Sequence, residues 1–133
     1  MRKTVDYFKL LADISRVRIL MLLKRKELCV CQIMGVLGMS QPLVSRNASL
    51  LHRGGFLDDR REGKMMFYSL KKNLPEPQRT LMALLRKELC SDSQAKDDLR
   101  CLKECNDYQK KSGKCDMETY LAYMRLKKEG RKQ

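Results

Sequence analysis

Between Glu27 and Leu70 the chain reads ELCVCQIMGVLGMSQPLVSRNASLLHRGGFLDDRREGKMMFYSL, and the punctuation of this stretch permits few folds. A short helical pattern from about Cys29 to Leu37 meets Gly38, a residue suited to ending a helix. Met39 and Ser40 make the turn. Ser40 caps a second helix, and Pro42 falls in its first turn, where a missing N–H does no harm. Val44, Ala48 and Leu51 recur at i, i+4 and i+7 and define one buried face, and Gly54-Gly55 ends the helix. Two helices joined by so short a glycine-containing turn predict a helix-turn-helix.

A β-hairpin follows at once. Phe56 to Arg61 and Met65 to Leu70 suit two strands, and Gly63 suits the intervening turn. Arg60, Arg61 and Lys64 cluster at the tip, within reach of a phosphate backbone or a minor groove. The hairpin therefore reads as a wing. In a helix-turn-helix the second helix presents its N-terminal residues to base edges. Gln41, Ser45, Arg46 and Asn47 are thus expected to read bases, with Ser40 and the three wing cations on phosphates. The totals agree: 29 Lys and Arg against 16 Asp and Glu give a net charge of +13. Such an excess favours a polyanion, because neutralised phosphates release counterions. The expected partner is double-stranded DNA.

The flanks supply scaffold. Val5, Phe8 and Leu10-Leu11-Ala12 predict a first amphipathic helix. Asp13 is the natural N-cap of a second, with Ile14, Val17, Leu20 (or Met21) and Leu23 expected on its buried side. Glu76 to Cys90 predicts a fifth helix, its stripe formed by Leu81, Leu84 (or Leu85) and Leu89. That stripe suits pairing with the first helix of another subunit, so a homodimer is expected. The fold class is therefore mainly α with a small β-hairpin: a dimeric winged helix-turn-helix over residues 1–90. A cysteine-containing, basic helical C-terminal extension is expected over 91–133, including a last helix capped by Asp116 with Met117, Tyr120, Leu121 and Met124 on one side. The opening MRKTVDYFKLLADIS lacks the apolar run of a signal peptide, and LLADISRVRILMLL is too interrupted by charge to span a membrane. The expectation is a cytoplasmic protein with no membrane contact.

In a reducing compartment six cysteines point to ligands or redox groups rather than structural disulfides. Cys29 and Cys31 open the first helix of the helix-turn-helix, where the helix terminus and Lys24, Arg25 and Lys26 favour thiolate. In a regular helix the two point about 200° apart, so gripping one ion would require a distorted first turn. Cys101 and Cys105, four apart, share one helix face, and Cys115 follows; these three are candidate additional ligands. Zinc at Cys90, Cys101, Cys105 and Cys115 would lack the usual close pairs. An i, i+2 disulfide is strained in a helix, which counts against a redox switch, the alternative reading. A thiol enzyme, such as an arsenate reductase, would want a C-x-x-C in a βαβ setting or a base beside its nucleophile; neither is evident, and no enzyme is expected.

From about Tyr7 to Leu70 the chain resembles the arsenical-resistance repressors of the ArsR/SmtB family. The resemblance is carried by FKLLADISRVRILMLL, ELCVC, SQPLVSR, GGF and DRREGKMMFYSL. It implies a homodimeric bacterial repressor, with no required cofactor, that binds operator DNA and lets go when an inorganic effector binds. Many arsenite-sensing members carry a third cysteine three residues after the second; here that position is Met34. Asn47 and Ala48 stand where His and Leu are usual. Cadmium-sensing relatives draw cysteines from an N-terminal arm, and none precedes Cys29; zinc-sensing relatives use Asp and His pairs, and His52 is the sole histidine. Soft thiolates remain, which favour As(III) or Sb(III).

Overall fold

The computed structural model describes residues 1–112 and Arg125, with side chains over 1–107 and Arg125. Six helices and three strands follow in the order α1 (Arg2–Leu11), α2 (Ile14–Leu23), β1 (Leu28–Cys29), α3 (Val30–Leu37), α4 (Gln41–Arg53), β2 (Leu57–Glu62), β3 (Met65–Leu70), α5 (Glu76–Leu89) and α6 (Ser93–Ser112). The expected final helix after Asp116, and Cys115, lie outside the described residues. Among the described residues no helix is long and apolar enough to cross a membrane.

Local chemistry sets the boundaries. The Asp13 carboxylate accepts the Arg16 backbone N–H at 3.1 Å and starts α2. Gly38 closes α3 in the left-handed region (φ 68°), its N–H donating to the Met34 carbonyl at 2.9 Å. A Cβ at Gly38 would meet nothing within 4 Å, so Gly38→Ala carries only the left-handed backbone penalty. We expect a loss of about 1 kcal/mol in urea unfolding with an unchanged m-value. A loss near zero would mean that the helix ends elsewhere. Ser40 Oγ then accepts the Leu43 N–H at 3.4 Å to open α4.

The helix-turn-helix is α3–Gly38-Met39-Ser40–α4, with Met39 buried in the turn. The wing is β2–β3, closed by Gly63-Lys64 with Gly63 at φ 61°. The sheet has one strand more than the expected hairpin. Leu28 and Cys29 pair antiparallel with Tyr68 and Phe67, giving the order β1-β3-β2. Cys29 therefore lies in extended backbone (φ −81°, ψ 163°) as the N-cap of α3, and the helix proper begins at Val30. The 200° separation expected for two helical cysteines does not apply, because only Cys31 is helical.

The core gathers Ile19, Leu20, Leu22 and Leu23 of α2, all of α3, Val44, Ala48 and Leu51 of α4, and Phe56 and Leu57. One expectation for the flanks is corrected. Ile14 is 78% exposed rather than buried, since the apolar side of α2 begins a turn later. Within the C-terminal extension, α6 packs on α3 and α2, placing Leu102 and Cys105 in the core. Arg18 clasps it through a bidentate pair to the buried Asp98 (2.9 and 3.0 Å), which also accepts Gln94 Nε2 at 2.9 Å. The hydrogen-bonded carboxylate raises the Arg18 pKa further above its usual value.

Candidate functional site

The exposed N-terminal half of α4 carries Ser40, Gln41 and Arg46, with Ser45 half-buried beside them. Arg61 and Lys64 are exposed at the far end of the wing. Together they form a polar, cationic surface on the helix and hairpin expected to meet DNA.

Two other residues expected in that surface sit differently. Asn47 is 4% exposed, three residues after Val44 and on the same inward face as Ala48 and Leu51. Its Oδ1 accepts from Arg16 Nη1 at 3.3 Å, while its Nδ2 is buried with no partner. It packs α4 against α2 and does not present its amide outward. Arg60 is exposed but engaged: Glu27 accepts from it at 2.7 Å and Glu62 at 2.9 Å, and its guanidinium lies 4.4 Å from the Phe67 ring centroid. The Arg60 hydrogen bonds hold the Glu27 carboxyl below the usual carboxylate range. Arg60 thus ties the wing to the entry of β1.

Arg16 is a positioning residue that the sequence pattern did not mark. Its Nε donates to the Leu10 carbonyl at 2.5 Å and its Nη2 to the Lys9 carbonyl at 3.4 Å, so one guanidinium joins the end of α1 to Asn47 of α4. The only sequence signal is its place three residues after a capping aspartate.

The thiol pair lies at the joint between these parts. Cys29 ends β1 and caps α3; its backbone N–H donates to Gln32 Oε1 at 3.0 Å, and its side chain faces the Gln32 N–H across a capping box. Cys31 follows in the first turn of α3, its Sγ 3.6 Å from Met65 Sδ at the start of β3. Both cysteines are 0% exposed. Cys101 and Cys105 do share one side of α6, Cys105 fully buried and Cys101 partly. Among the described residues no three His, Cys, Asp or Glu side chains gather as a metal site.

Residues 13–57 match the family described as "Bacterial regulatory protein, arsR family". The chain is 43% identical over 72 residues to the arsenical resistance operon repressor of Escherichia coli (strain K12), covering 53% of this chain and 62% of that protein. It is 36% identical over 67 residues to an uncharacterized HTH-type transcriptional regulator of Methanocaldococcus jannaschii, covering 50% of this chain and 75% of that one. Its fold is similar to the solution structure of a homodimeric winged helix-turn-helix DNA-binding domain from Mycobacterium bovis, described as a possible ArsR-family regulator. That likeness has a TM-score of 0.56 at 29% identity and covers 69% of this chain and 82% of that one. The chain spans between 55% and 62% of the length of the arsenical-resistance relatives it matches.

Proposed function

The chain belongs to the arsR family of bacterial regulatory proteins, and from that premise we propose that it is a homodimeric transcriptional repressor released from operator DNA by As(III) or a similar thiophilic metalloid at Cys29 and Cys31. The observation that carries this reading is the position of Cys29: one residue is both the last of β1, paired to Phe67 of the wing strand, and the N-cap of α3. A change at that sulfur acts on the wing and on the helix that supports α4 together.

The mechanism follows from burial. Both thiols are enclosed, so presenting their sulfurs to one ion requires Cys29 and Cys31 to reorganise the β1–α3 junction. The pairing of Leu28 and Cys29 with β3 and the Gln32 capping box are what must yield. A ligand whose binding requires that rearrangement has higher affinity for the rearranged state. By linkage it lowers affinity for whatever the resting arrangement of α4 and the wing binds. In that resting arrangement Gln41, Ser45 and Arg46 face base edges, and Ser40, Arg61 and Lys64 face phosphates.

The dimer reading is supported by apolar side chains that stay exposed among the described residues. Helix α1 buries no residue, and Val5, Phe8, Ile14 and Leu84 are exposed apolar side chains on α1, α2 and α5. A second copy of the chain is the occupant that satisfies them, and the M. bovis domain of similar fold is homodimeric.

The test is fluorescence anisotropy on a labelled duplex from the promoter of the chain's own gene, at fixed salt. Arsenite is titrated, with zinc, cadmium and peroxide as separate controls. Release by arsenite supports the proposal; release by peroxide alone replaces it with a thiol redox switch. In the same assay Arg46→Ala is expected to weaken DNA binding about tenfold without altering the arsenite midpoint. Unchanged affinity would remove Arg46 from the interface.

A further inference from the structure

One sulfur that faces Cys31 across the fold comes from the wing. It is Met65, the first residue of β3 after the wing turn, with Sδ 3.6 Å from Cys31 Sγ. The sheet register brings the same methionine to the Cys29 side. Cys29 stands opposite Phe67, and paired residues of an antiparallel ladder project from one face. Met65, two residues before Phe67 on the same strand, shares that face. The Cys31 and Met65 sulfurs thus meet beside the junction of β1, α3 and β3, with Cys29 on the same sheet face one strand over, and their exposure is graded: both thiols are enclosed, while Met65 is half-buried.

We propose that Cys29, Cys31 and Met65 form a three-sulfur site for a soft monovalent d10 cation, Cu(I) or Ag(I), with the Met65 thioether as third ligand. This rests on the reading of Cys29 and Cys31 as the sensing pair and adds a ligand and an ion class to it. Two thiolates and a thioether form a soft, low-charge donor set, and such sets select Cu(I). The thioether is weak toward As(III), so the two ion classes use the same thiols but differ in their need for Met65. A trigonal ion with metal–sulfur bonds of about 2.3 Å holds its sulfurs about 4 Å apart. The 3.6 Å between Cys31 and Met65 is already close to that spacing. On binding, each cysteine gives up its proton to solvent, Met65 gives up none, and the bound unit carries one negative charge with no change of oxidation state. Because Met65 begins β3, the third bond would load the wing directly, where the arsenite response acts through β1 and α3.

The experiment uses the full chain under anaerobic conditions, with Cu(I) delivered as its bicinchoninate complex and the competition read from chelator absorbance. X-ray absorption counts the sulfur neighbours. Wild type is expected to bind one Cu(I) with three sulfurs. Met65→Leu, which keeps volume and hydrophobicity, is expected to bind about ten- to a hundredfold more weakly and with two sulfurs. Met34→Leu is the control and should match wild type in Cu(I) affinity and in arsenite release. Equal Cu(I) affinity in wild type and Met65→Leu, or an equal loss in Met34→Leu, would overturn the proposal while leaving the thiol reading intact. If Cys31→Ser binds both arsenite and Cu(I) like wild type, the thiol reading fails and takes this site with it.

Discussion

Cys29→Ser is expected to keep the fold and the DNA affinity while abolishing release by arsenite. The two halves of that outcome have separate causes. Serine is a better N-cap than cysteine, and its hydroxyl can take the Gln32 N–H that the sulfur now faces, so the α3 terminus should hold at least as well. The same substitution exchanges a soft thiolate for a hard hydroxyl and removes one of the two strong ligands. The arsenite concentration giving half-release should rise at least about a hundredfold, to beyond the measurable range. Cys31→Ser should lose the response equally but at a cost in stability. Its hydroxyl would replace a sulfur in a fully enclosed position beside a methionine sulfur, and burying a hydroxyl in place of a less polar group costs about 1–3 kcal/mol. Urea unfolding beside anisotropy separates the two effects. A Cys29→Ser protein that binds DNA and still releases with arsenite at the wild-type midpoint would remove Cys29 from the sensor. A Cys29→Ser protein that no longer binds DNA would make the thiol structural.

Most of the architecture was legible in the chain because its signals are local. Asp13, Gly38, Ser40 and Gly63 each impose a terminus or turn through their own chemistry, and all four act where the pattern places them. What escaped depends on tertiary partners. The two-residue strand at Leu28 and Cys29 has no periodicity to read; it exists because β3 presents a second open edge. Ile14 was assigned inward because it fits a helical stripe, yet pattern alone cannot tell a face that meets the core from one left for another subunit. Asn47 was assigned outward because asparagine commonly pairs with adenine, although its spacing from Val44, Ala48 and Leu51 already marked it as inward. In that case periodicity was the better guide than residue type. The ion pair of Arg60 with Glu27, thirty-three residues earlier, is likewise a tertiary contact that local pattern does not show. The convergence of Met65 on Cys31 was equally hidden, since a separation of thirty-four residues carries no local trace.

Arg18→Leu should cost about 2–3 kcal/mol. It leaves Asp98, 6% exposed, with Gln94 as its remaining side-chain donor in place of a bidentate guanidinium. Breaking a fully buried pair from one side costs about 3–5 kcal/mol, and this pair falls at or below the low end of that range because Arg18 keeps 24% of its side chain in solvent. Asp98→Leu should cost less, since the abandoned guanidinium can turn to water. The double variant should recover to within about 1 kcal/mol of wild type, because an apolar pair of similar volume avoids desolvating two charges. That asymmetry, read from urea midpoints as a double-mutant cycle, distinguishes a clasp from a surface ion pair, whose two single variants would each lie within about 0.5 kcal/mol of wild type. The loss should also be local. Helix α6 lays Leu102 and Cys105 over α3, so amide exchange in Arg18→Leu should rise first in α6 and only then in α3, with α4 protected longest. Exchange rising together in all three helices would mean that α6 unfolds only with the whole domain, and that residues 93–112 belong to the winged helix itself.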